Sequence, residues 1–511
     1  MEIAKRQHIV LVVLNRLARS AEMIRRFQHF INGHSTPPSS GEWIDSINPA
    51  TGAVWAQIAR GNKADVDLAV ATALTASKQP DWRDSAANRS EILHGIADRL
   101  DSDHKQLIEI EINDNGKRIR EVAAQMAGLG GWYRHFAFAL AKMEVEELTL
   151  DLEGVSAHLE LIPYGVIGAI TAWNSPLMIA AWKVAPALAG GNAVIIKPSE
   201  MASASTVLFA EILANVVPNG LINVVTGYGD EVGAEIVDAD AVKKVSFTGS
   251  EIGGSKVAAA AAKHVKPSTL ELGGKSPQIV FADADLESAM NGVMSGIFLS
   301  NGQSCVAGSR LIIHDDIRGA FVDRLKEKLN CLHFGDPLSE DTDIGPIANE
   351  AQFDKILSMV DRARQEGATI AAGGSRKNVP GFENGFFIEP TILENVSPVA
   401  EIWRKEVFGP VLCVQSFSCN EEAISLANDT DYGLAAGIWT TDEKFASEIA
   451  SKIDAGTVYI NHYRSVSACA PVGGIKKSGY GRELGPNAIR DFMQDKAIWK
   501  GKMAVLDPFA R

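Results

Sequence analysis

The stretch "YGVIGAITAW" (164–173) opens the part of the chain that decides the fold. It is followed by "MIAAWKVAPALAGG" (178–191), "NAVIIKPSE" (192–200), "SASTVLFAEILANV" (203–216), "GLINVVTG" (220–227) and "VKKVSFTGS" (242–250). Short apolar runs, which are typical of buried strands, alternate here with segments of helical length. The alternation predicts βαβ units and a parallel sheet that helices cover on both faces.

The segments on either side extend this prediction to the rest of the chain. A second alternating series, from "SPQIVF" (276–281) to "GTVYIN" (456–461), indicates a second α/β domain. Residues 30–52 read as short strands between turns, and residues 63–141 show helical spacing. Residues 143–163 alternate polar and apolar side chains, which predicts an extended hairpin that projects as an arm.

Composition excludes several classes of function. The chain has 511 residues, of which 46% are hydrophobic and 22% charged, as in a soluble enzyme of two to four domains. Its net charge of −14 repels nucleic acid. Five cysteines without a C-x-x-C pair argue against a zinc site or disulfides, so we expect no metal and a cytoplasmic location.

The first 22 residues stand apart from the rest. Their apolar run, 9–14, is far too short to span a bilayer, and arginines follow it where a signal peptide would have small residues. We expect no membrane association. A leading helix, an upstream start codon and an amphipathic targeting helix remain open for this segment.

Four strings carry residues suited to chemistry. "SNGQSCVAGSR" (300–310) surrounds Cys305 with small residues, which fits either an accessible nucleophile or a turn. "LELGGKSP" (270–277) places Glu271 among apolar neighbours, where burial would raise its pKa and make it a general base, although a structural role stays open. "SFTGSEIGG" (246–254) and "IIKPSE" (195–200) each end a predicted strand, where a pyrophosphate or a ribose could bind; ordinary loops would look the same.

Together these strings resemble the NAD(P)-dependent aldehyde dehydrogenase superfamily. "AWNSP" (172–176), "AGGNAVIIKPSE" (189–200), "SFTGSEIGG", "LELGGKSP", "NGQSCVAGSR", "EVFGPVL" (406–412) and "PVGGIKKSGYGRELG" (471–485) occur in the family's order. The resemblance runs from residue 30 onward, and the separation of Glu271 from Cys305 equals the family's usual spacing.

The resemblance implies a role for each catalytic candidate. Cys305 would attack the aldehyde carbon, and Asn174 would hold the resulting oxyanion together with the backbone N–H of Cys305. After hydride transfer, Glu271 would activate water to hydrolyse the thioester, and Lys183 would support Asn174 and the site.

The resemblance also implies the cofactor and its ligands. NAD is favoured over NADP because a carboxylate at Glu200 would repel a 2′-phosphate. The implied ligands are Trp173, Lys197, Ser199, Glu200, Gly249, Ser250, Glu406 and Phe408.

Departures from the family concern the substrate. Ser175, Val466 and Val472 stand where many relatives have aromatic residues, which predicts room for a bulky, cyclic or branched aldehyde unless neighbouring side chains fill the space. The predicted pocket residues are Ser175, Ile179, Trp182, Ser304, Val306, Arg464, Val466 and Val472, with Tyr133 and Phe298 as further walls. Arg464, on one loop with His462, could hold the carboxylate of a semialdehyde or be a plain loop residue.

The implied fold is a Rossmann-type cofactor domain, an α/β catalytic domain and a small β oligomerisation arm. We assign residues 1–29 to an N-terminal extension, 30–142 and 164–276 to the cofactor domain, 277–482 to the catalytic domain, and 143–163 with 483–511 to the arm and tail. A homodimer or homotetramer is expected. A coenzyme A-acylating dehydrogenase and a cysteine-dependent esterase or binding protein remain alternatives.

Overall fold

The computed structural model describes residues 24–501 and residue 508. Residues 1–23 of the predicted N-terminal extension and most of the tail beyond residue 501 lie outside the described residues.

The elements are numbered along the chain. The strands of the first half are β1 (Arg25–Phe27), β2 (His29–Ile31), β3 (His34–Thr36), β4 (Trp43–Asn48), β5 (Ala53–Ala59), β6 (Glu146–Leu148), β7 (Val155–Pro163), β8 (Val166–Thr171), β9 (Ala193–Pro198), β10 (Ile222–Val224), β11 (Val242–Thr248) and β12 (Ser268–Glu271). Those of the second half are β13 (Pro277–Val280), β14 (Arg310–His314), β15 (Thr369–Ala372), β16 (Thr391–Glu394), β17 (Val411–Phe417), β18 (Tyr432–Gly433), β19 (Ala435–Trp439), β20 (Thr457–Ile460), β21 (Ile475–Lys476), β22 (Gly479–Tyr480) and β23 (Met493–Gly501). The helices are α1 (Lys63–Ser77), α2 (Pro80–Arg83), α3 (Ala86–Asn115), α4 (Ile119–Leu140), α5 (Pro176–Ala189), α6 (Ala204–Ile212), α7 (Ala234–Asp238), α8 (Glu251–Lys263), α9 (Leu286–Ile297), α10 (Asp315–Asn330), α11 (Glu350–Gln365), α12 (Glu401–Arg404), α13 (Asn420–Asn428), α14 (Glu443–Ala450) and α15 (Ala488–Asp491).

The first sheet has the order β22-β12-β11-β8-β9-β10-β2-β3. Its five inner strands, β12 to β10, run parallel, whereas β22, β2 and β3 pair antiparallel at the two edges. Every residue of β8 and β9 is buried, as expected for strands with helices on both faces. The predicted alternation of strands and helices in this segment is confirmed.

The second sheet has the order β15-β16-β17-β14-β13-β19-β20 and is parallel except for β15. Each of these two sheets has its own buried apolar cores. The predicted second α/β unit is therefore confirmed.

A third sheet, β23-β7-β6, is antiparallel and corresponds to the predicted arm. Glu146 pairs with Leu159 in the hairpin, and Met493–Gly501 adds the third strand along β7. Its role in assembly stays a prediction.

Two details differ from the predicted boundaries. Strands β1 and β2 lie within the predicted extension or at its border, yet β1 pairs with β5 and β2 pairs with β10. Strand β22 was placed by sequence in the catalytic domain. In the structure it pairs with β12 of the first sheet, and Tyr480 lies opposite Leu270.

The long helix α3 ends in a turn that matters for the site. Its N-cap is Ser85, whose side chain accepts a hydrogen bond from the Asn88 N–H, and its C-cap is Gly116 with φ of 73°. A side chain at this left-handed position would be strained, and a Cβ would lie 2.6 Å from Pro346. The turn leads directly to Lys117, which is buried.

Candidate active site

Segments that follow several strands converge on one cavity of about 460 Å³. The residues after β8, β11 and β12 line it, together with the loop before β14 and the segment after α12. In parallel α/β sheets this end of the strands is where ligands bind. The predicted site residues that line the cavity are Trp173, Asn174, Ser175, Ile179, Trp182, Gly249, Ser250, Glu271, Ser304, Cys305, Val306, Glu406, Phe408, Arg464, Val466 and Val472.

The loop that carries Cys305 has an unusual backbone. Ser300 and Asn301 have φ of 53° and 52°, and Gly302 follows with φ of 67°. The Asn301 side-chain amide holds the turn in place by donating to the carbonyl oxygens of Gly345 and Pro346 at 2.8 and 2.7 Å. Close approach is also needed at Gly274, where a Cβ would lie 2.5 Å from the Cys305 carbonyl oxygen.

The surroundings of Cys305 disfavour its thiolate. Burial, followed by the carboxylates of Glu406 and Glu271, raises its pKa to about 12, although the Val306 N–H and the cation of Arg464 lower it. A nucleophilic role requires the thiolate form. Since the described side chains do not supply this, activation requires a positive charge brought by a ligand or a base that takes the proton.

Asn174 lies beside the same loop. Its Nδ2 donates to the carbonyl oxygen of Gln303 at 3.1 Å, two residues before Cys305. The amide is therefore held beside the loop that carries Cys305, and its predicted role as oxyanion donor stays a prediction.

Glu271 ends β12 with its carboxylate facing the cavity. It is 6% exposed, and its Oε1 has no hydrogen-bond partner among the described residues. Burial raises its pKa well above the ordinary value, the carboxylate of Glu483 adds to this, and the cations of Lys183 and Arg482 oppose it. A carboxyl group with a raised pKa and a free oxygen suits a general base.

Behind Glu271 lies a buried ion pair. Lys183 Nζ donates to Glu483 Oε1 and to Ser246 Oγ, and the Ser246 hydroxyl donates to the same carboxylate. Lys183 does not line the cavity, and its hydrogen bonds go to Ser246 and Glu483, so its predicted support of Asn174 stays a prediction. Its contact with the site runs through Glu483, which sequence reasoning missed although it lies in the quoted motif "GRELG".

The predicted adenosine-ribose ligands lie outside the main cavity. Lys197 Nζ is 2.8 Å from Glu200 Oε2, and Glu200 lines a second cavity of about 700 Å³ with Met201 and Tyr228. Ser199 serves the turn itself, since its carbonyl oxygen accepts a hydrogen bond from the Ser203 hydroxyl.

Other features fit a dinucleotide that extends from the main cavity towards the cavity that Glu200 lines. Ser250 caps α8 by accepting from the Gly253 N–H, which leaves a helix N-terminus at the cavity for a phosphate. The buried Thr248 hydroxyl has no partner among the described residues. Glu406 accepts from the Gly274 N–H at 2.9 Å, and burial raises its pKa to about 7. The residues present thus fit a nicotinamide dinucleotide.

Aromatic rings also frame this end of the cavity. Phe408, with φ of 58°, packs its ring edge-on against Trp173 at a centroid distance of 5.1 Å. The roles of Trp173 and Phe408 as cofactor contacts stay predictions.

The substrate walls differ in part from the prediction. Tyr133 and Phe298 belong to the core and do not line the cavity; Tyr133 is fully buried against Phe209. Its neighbour Trp132 lines the cavity instead and packs against Trp182 at 5.9 Å. Further lining residues that the sequence did not reveal include Gln125, Met178 and Tyr459.

Arg464 lines the cavity, but its guanidinium is already engaged. Nη1 donates to the carbonyl oxygens of Ser295 and Leu299 at 3.0 and 2.9 Å. These bonds fasten the end of α9 to the loop of Arg464. His462 on the same loop is exposed and contacts Ser465.

Comparison with known proteins agrees with this geometry. The model of the aldehyde dehydrogenase family matches residues 36–498. The chain belongs to this family. An aminoaldehyde dehydrogenase 2, peroxisomal, of Pisum sativum is 43% identical over 92% of this chain and 95% of its own. A betaine aldehyde dehydrogenase, chloroplastic, of Beta vulgaris is 40% identical over the same shares.

Solved structures of the family share the fold. Betaine aldehyde dehydrogenase of Staphylococcus aureus in complex with NAD⁺ superimposes with a TM-score of 0.92 at 35% identity, covering 95% of this chain and 96% of that one. An NAD⁺ complex of an aldehyde dehydrogenase of Bacillus cereus gives 0.91 at 36% identity, covering 93% and 97%. The predicted family and fold are thereby confirmed.

The expected cytoplasmic location is wrong on this comparison. Several of the most similar relatives are peroxisomal or chloroplastic enzymes. The scarcity of cysteines indicates only a reducing compartment, which these relatives show need not be the cytosol.

Within the described part of the chain, no cluster of three or more His, Cys, Asp or Glu side chains is arranged to hold a metal ion. None of the helices described there has the length and apolar character that crossing a membrane requires.

Proposed function

We propose that the protein oxidises an aldehyde to a carboxylic acid with NAD, using Cys305 as nucleophile. One observation carries the proposal: a thiol, a side-chain amide and a buried carboxyl group face the same cavity, on Cys305, Asn174 and Glu271. A nucleophile, an oxyanion donor and a base in one desolvated space is the set that acyl chemistry needs.

The first step forms a bond between the Cys305 sulfur and the aldehyde carbon. The thiol must lose its proton, and the ionised fraction of Glu271 is the base within the cavity that can take it. The carbonyl oxygen becomes an oxyanion, which the Asn174 amide and the Cys305 backbone N–H stabilise by hydrogen bonds. Bound NAD would supply the hydride acceptor, and loss of a hydride from the former aldehyde carbon would leave a thioester on Cys305.

The second step cleaves the thioester. After Glu271 has released the first proton to solvent, it removes a proton from a water molecule as that water adds to the carbonyl carbon. The carbon–sulfur bond then breaks, which releases the acid and leaves Cys305 as a thiolate. Glu483 and Lys183 hold charge next to Glu271 and so set the pH at which it acts as a base. A base in this position favours water over coenzyme A as the acceptor.

The dinucleotide would be held by three groups of residues. Lys197 and Glu200 would bind the adenosine ribose, Gly249 and Ser250 the pyrophosphate, and Glu406 the nicotinamide ribose. The carboxylate of Glu200 favours NAD over NADP, and the NAD⁺ in the complexes of two structural relatives supports this choice.

The substrate we propose is bulky, cyclic or a semialdehyde. Ser175, Val466 and Val472 all line the cavity, where they leave space that aromatic side chains would fill. The names of the most similar relatives offer a second class, aldehydes that carry an amine or a quaternary ammonium group.

A panel of aldehydes with NAD and NADP in parallel tests the proposal. Reduced nucleotide should form with NAD and the acid should be the product, with or without coenzyme A. An acyl-coenzyme A product, or ester cleavage without nucleotide, would replace the proposal. Higher kcat/KM for acetaldehyde than for aromatic or terpenoid aldehydes would refute the roomy pocket.

A further inference from the structure

Behind the substrate wall lies a buried lysine that the proposed reaction does not use. Lys117 is 5% exposed and follows the turn at the end of α3. Its Nζ donates to Ser175 Oγ at 2.5 Å and to Gln125 Oε1 at 3.2 Å. Both acceptors line the cavity, whereas Lys117 itself does not.

These bonds determine which atoms of the Ser175 and Gln125 side chains act as acceptors and which remain as donors. An ammonium can only donate, so Ser175 Oγ and Gln125 Oε1 are both acceptors towards Lys117. What each has left is a donor: the Ser175 O–H and the Gln125 Nε2–H. Among the described residues no partner accepts from either donor.

The absence of a helix-capping hydrogen bond from the Ser175 side chain supports this interpretation. It occupies the N-cap position of α5, where a serine side chain normally accepts from the first turn of the helix. Its Oγ makes no such capping bond. The side chain is turned to Lys117, and its proton remains for a ligand.

Burial lowers the pKa of Lys117, whereas the neighbouring carboxylates of Glu111 and Glu121 raise it and so favour the ammonium form. Arg464 lies close enough to Lys117 for repulsion between the two cations to be felt. Among the neighbouring carboxyl groups, burial raises the pKa of Glu111, and Glu121 is engaged by the Ser300 N–H and Arg118. The raised pKa values of Glu271 and Glu406 reduce the negative charge in the rest of the cavity.

We infer that Ser175 and Gln125, oriented by Lys117, are specificity residues that bind a carboxylate carried by the aldehyde substrate. Two outward donors backed by a cation match the two oxygens of a carboxylate. The inference rests on the proposed function and chooses among its substrates: an ω-carboxy aldehyde, rather than the amino- or betaine-type aldehydes of the relatives' names.

The test compares aldehydes that differ only in their far end. The probes are ω-carboxy aldehydes of four to six carbons, the matching alkanals and the matching ω-amino aldehydes, each measured as kcat/KM with NAD. The wild-type protein should prefer at least one carboxy aldehyde over its alkanal by about tenfold or more, the range expected for hydrogen bonds to a charged group. A preference for amino aldehydes, or no preference at any length, overturns the inference.

Variants then assign the preference to residues. Ser175→Ala and Gln125→Leu should each lower the ratio of carboxy aldehyde to alkanal by about three- to tenfold, mainly through KM. Ser447→Ala, on the exposed surface of α14, is the matched control and should leave the ratio unchanged. An unchanged ratio in both site variants would refute the assignment.

Two further outcomes distinguish failure of this inference from failure of the proposed function. Lys117→Met should lower the same ratio, and if its removal from the interior prevents folding, the two milder variants still decide the question. Failure to oxidise any aldehyde would refute the proposed function itself, whereas oxidation of alkanals without carboxylate preference refutes only the inference.

Discussion

The substitution Glu483→Gln tests how the buried ion pair supports Glu271. Lys183 and Glu483 have side chains that are 0% and 1% exposed. The variant leaves the ammonium of Lys183 buried without a counter-charge, with the Ser246 hydroxyl and a neutral amide as partners. Breaking a buried pair in this way costs about 3–5 kcal/mol.

That cost converts into a measurable change in melting temperature. With a shift of about 2–4 °C per kcal/mol for large domains, Tm should fall by roughly 6–20 °C. Differential scanning calorimetry at a fixed scan rate measures it. The control is Glu287→Gln, which removes an exposed partner of Arg324 and should cost no more than about 1 kcal/mol.

The same substitution should change the pH dependence of activity. Loss of the Glu483 charge removes a cause that raises the pKa of Glu271, while Lys183 continues to lower it. The pKa of Glu271 therefore falls, and the acid limb of the pH–rate profile should move to lower pH.

Two results would refute this reasoning. A Tm within about 2 °C of the wild type would mean that the pair contributes far less than burial implies. An unchanged acid limb of the pH–rate profile would mean that the charge of Glu483 does not influence the pKa of Glu271. Replacing both partners, as Lys183→Met with Glu483→Leu, should recover most of the stability, because apolar pairs often substitute for buried ion pairs.

Three further predictions concern the groups around the thiol. Because a carboxyl group with a raised pKa is a base only above that pKa, thioester hydrolysis should quicken with rising pH at a pH above the usual glutamate range, and Glu271→Gln should abolish this dependence; a persisting slope would contradict it. Iodoacetamide should alkylate Cys305 slowly near neutral pH, and about tenfold faster with NAD⁺, whose positive charge opposes the raised pKa; equal rates would contradict it. Glu200→Gln should raise kcat/KM with NADP relative to NAD by about tenfold, and an unchanged ratio would show that the carboxylate does not select the cofactor.

Local patterns predicted the fold and the central residues of the site. The strand and helix periods in residues 164–250 are set by which faces are buried, so they can be read without knowing the partners. Small neighbours and apolar flanks marked Cys305 and Glu271 only as candidates, and the resemblance to the family implied their roles.

Contacts between distant segments were not predictable. Lys117 and Ser175 are 58 residues apart, and Lys183 and Glu483 are 300 apart. No local pattern indicates that such side chains meet.

The error of predicting Tyr133 rather than Trp132 as a wall of the substrate pocket has an equally simple cause. Trp132 and Tyr133 are consecutive on α4, and successive helical residues point about 100° apart, so only one of them reaches the cavity. Without the orientation of α4, the sequence could not tell which one.

The central claim is that an acyl group is carried on Cys305 and released by Glu271. The most direct test mixes Glu271→Gln with NAD and an aldehyde substrate, and follows nucleotide reduction and the mass of the Cys305 peptide. The account predicts a burst of about one reduced nucleotide per active site, then slow turnover, with the acyl mass on Cys305. Full steady turnover without a burst, or acyl mass on a different residue, would contradict it.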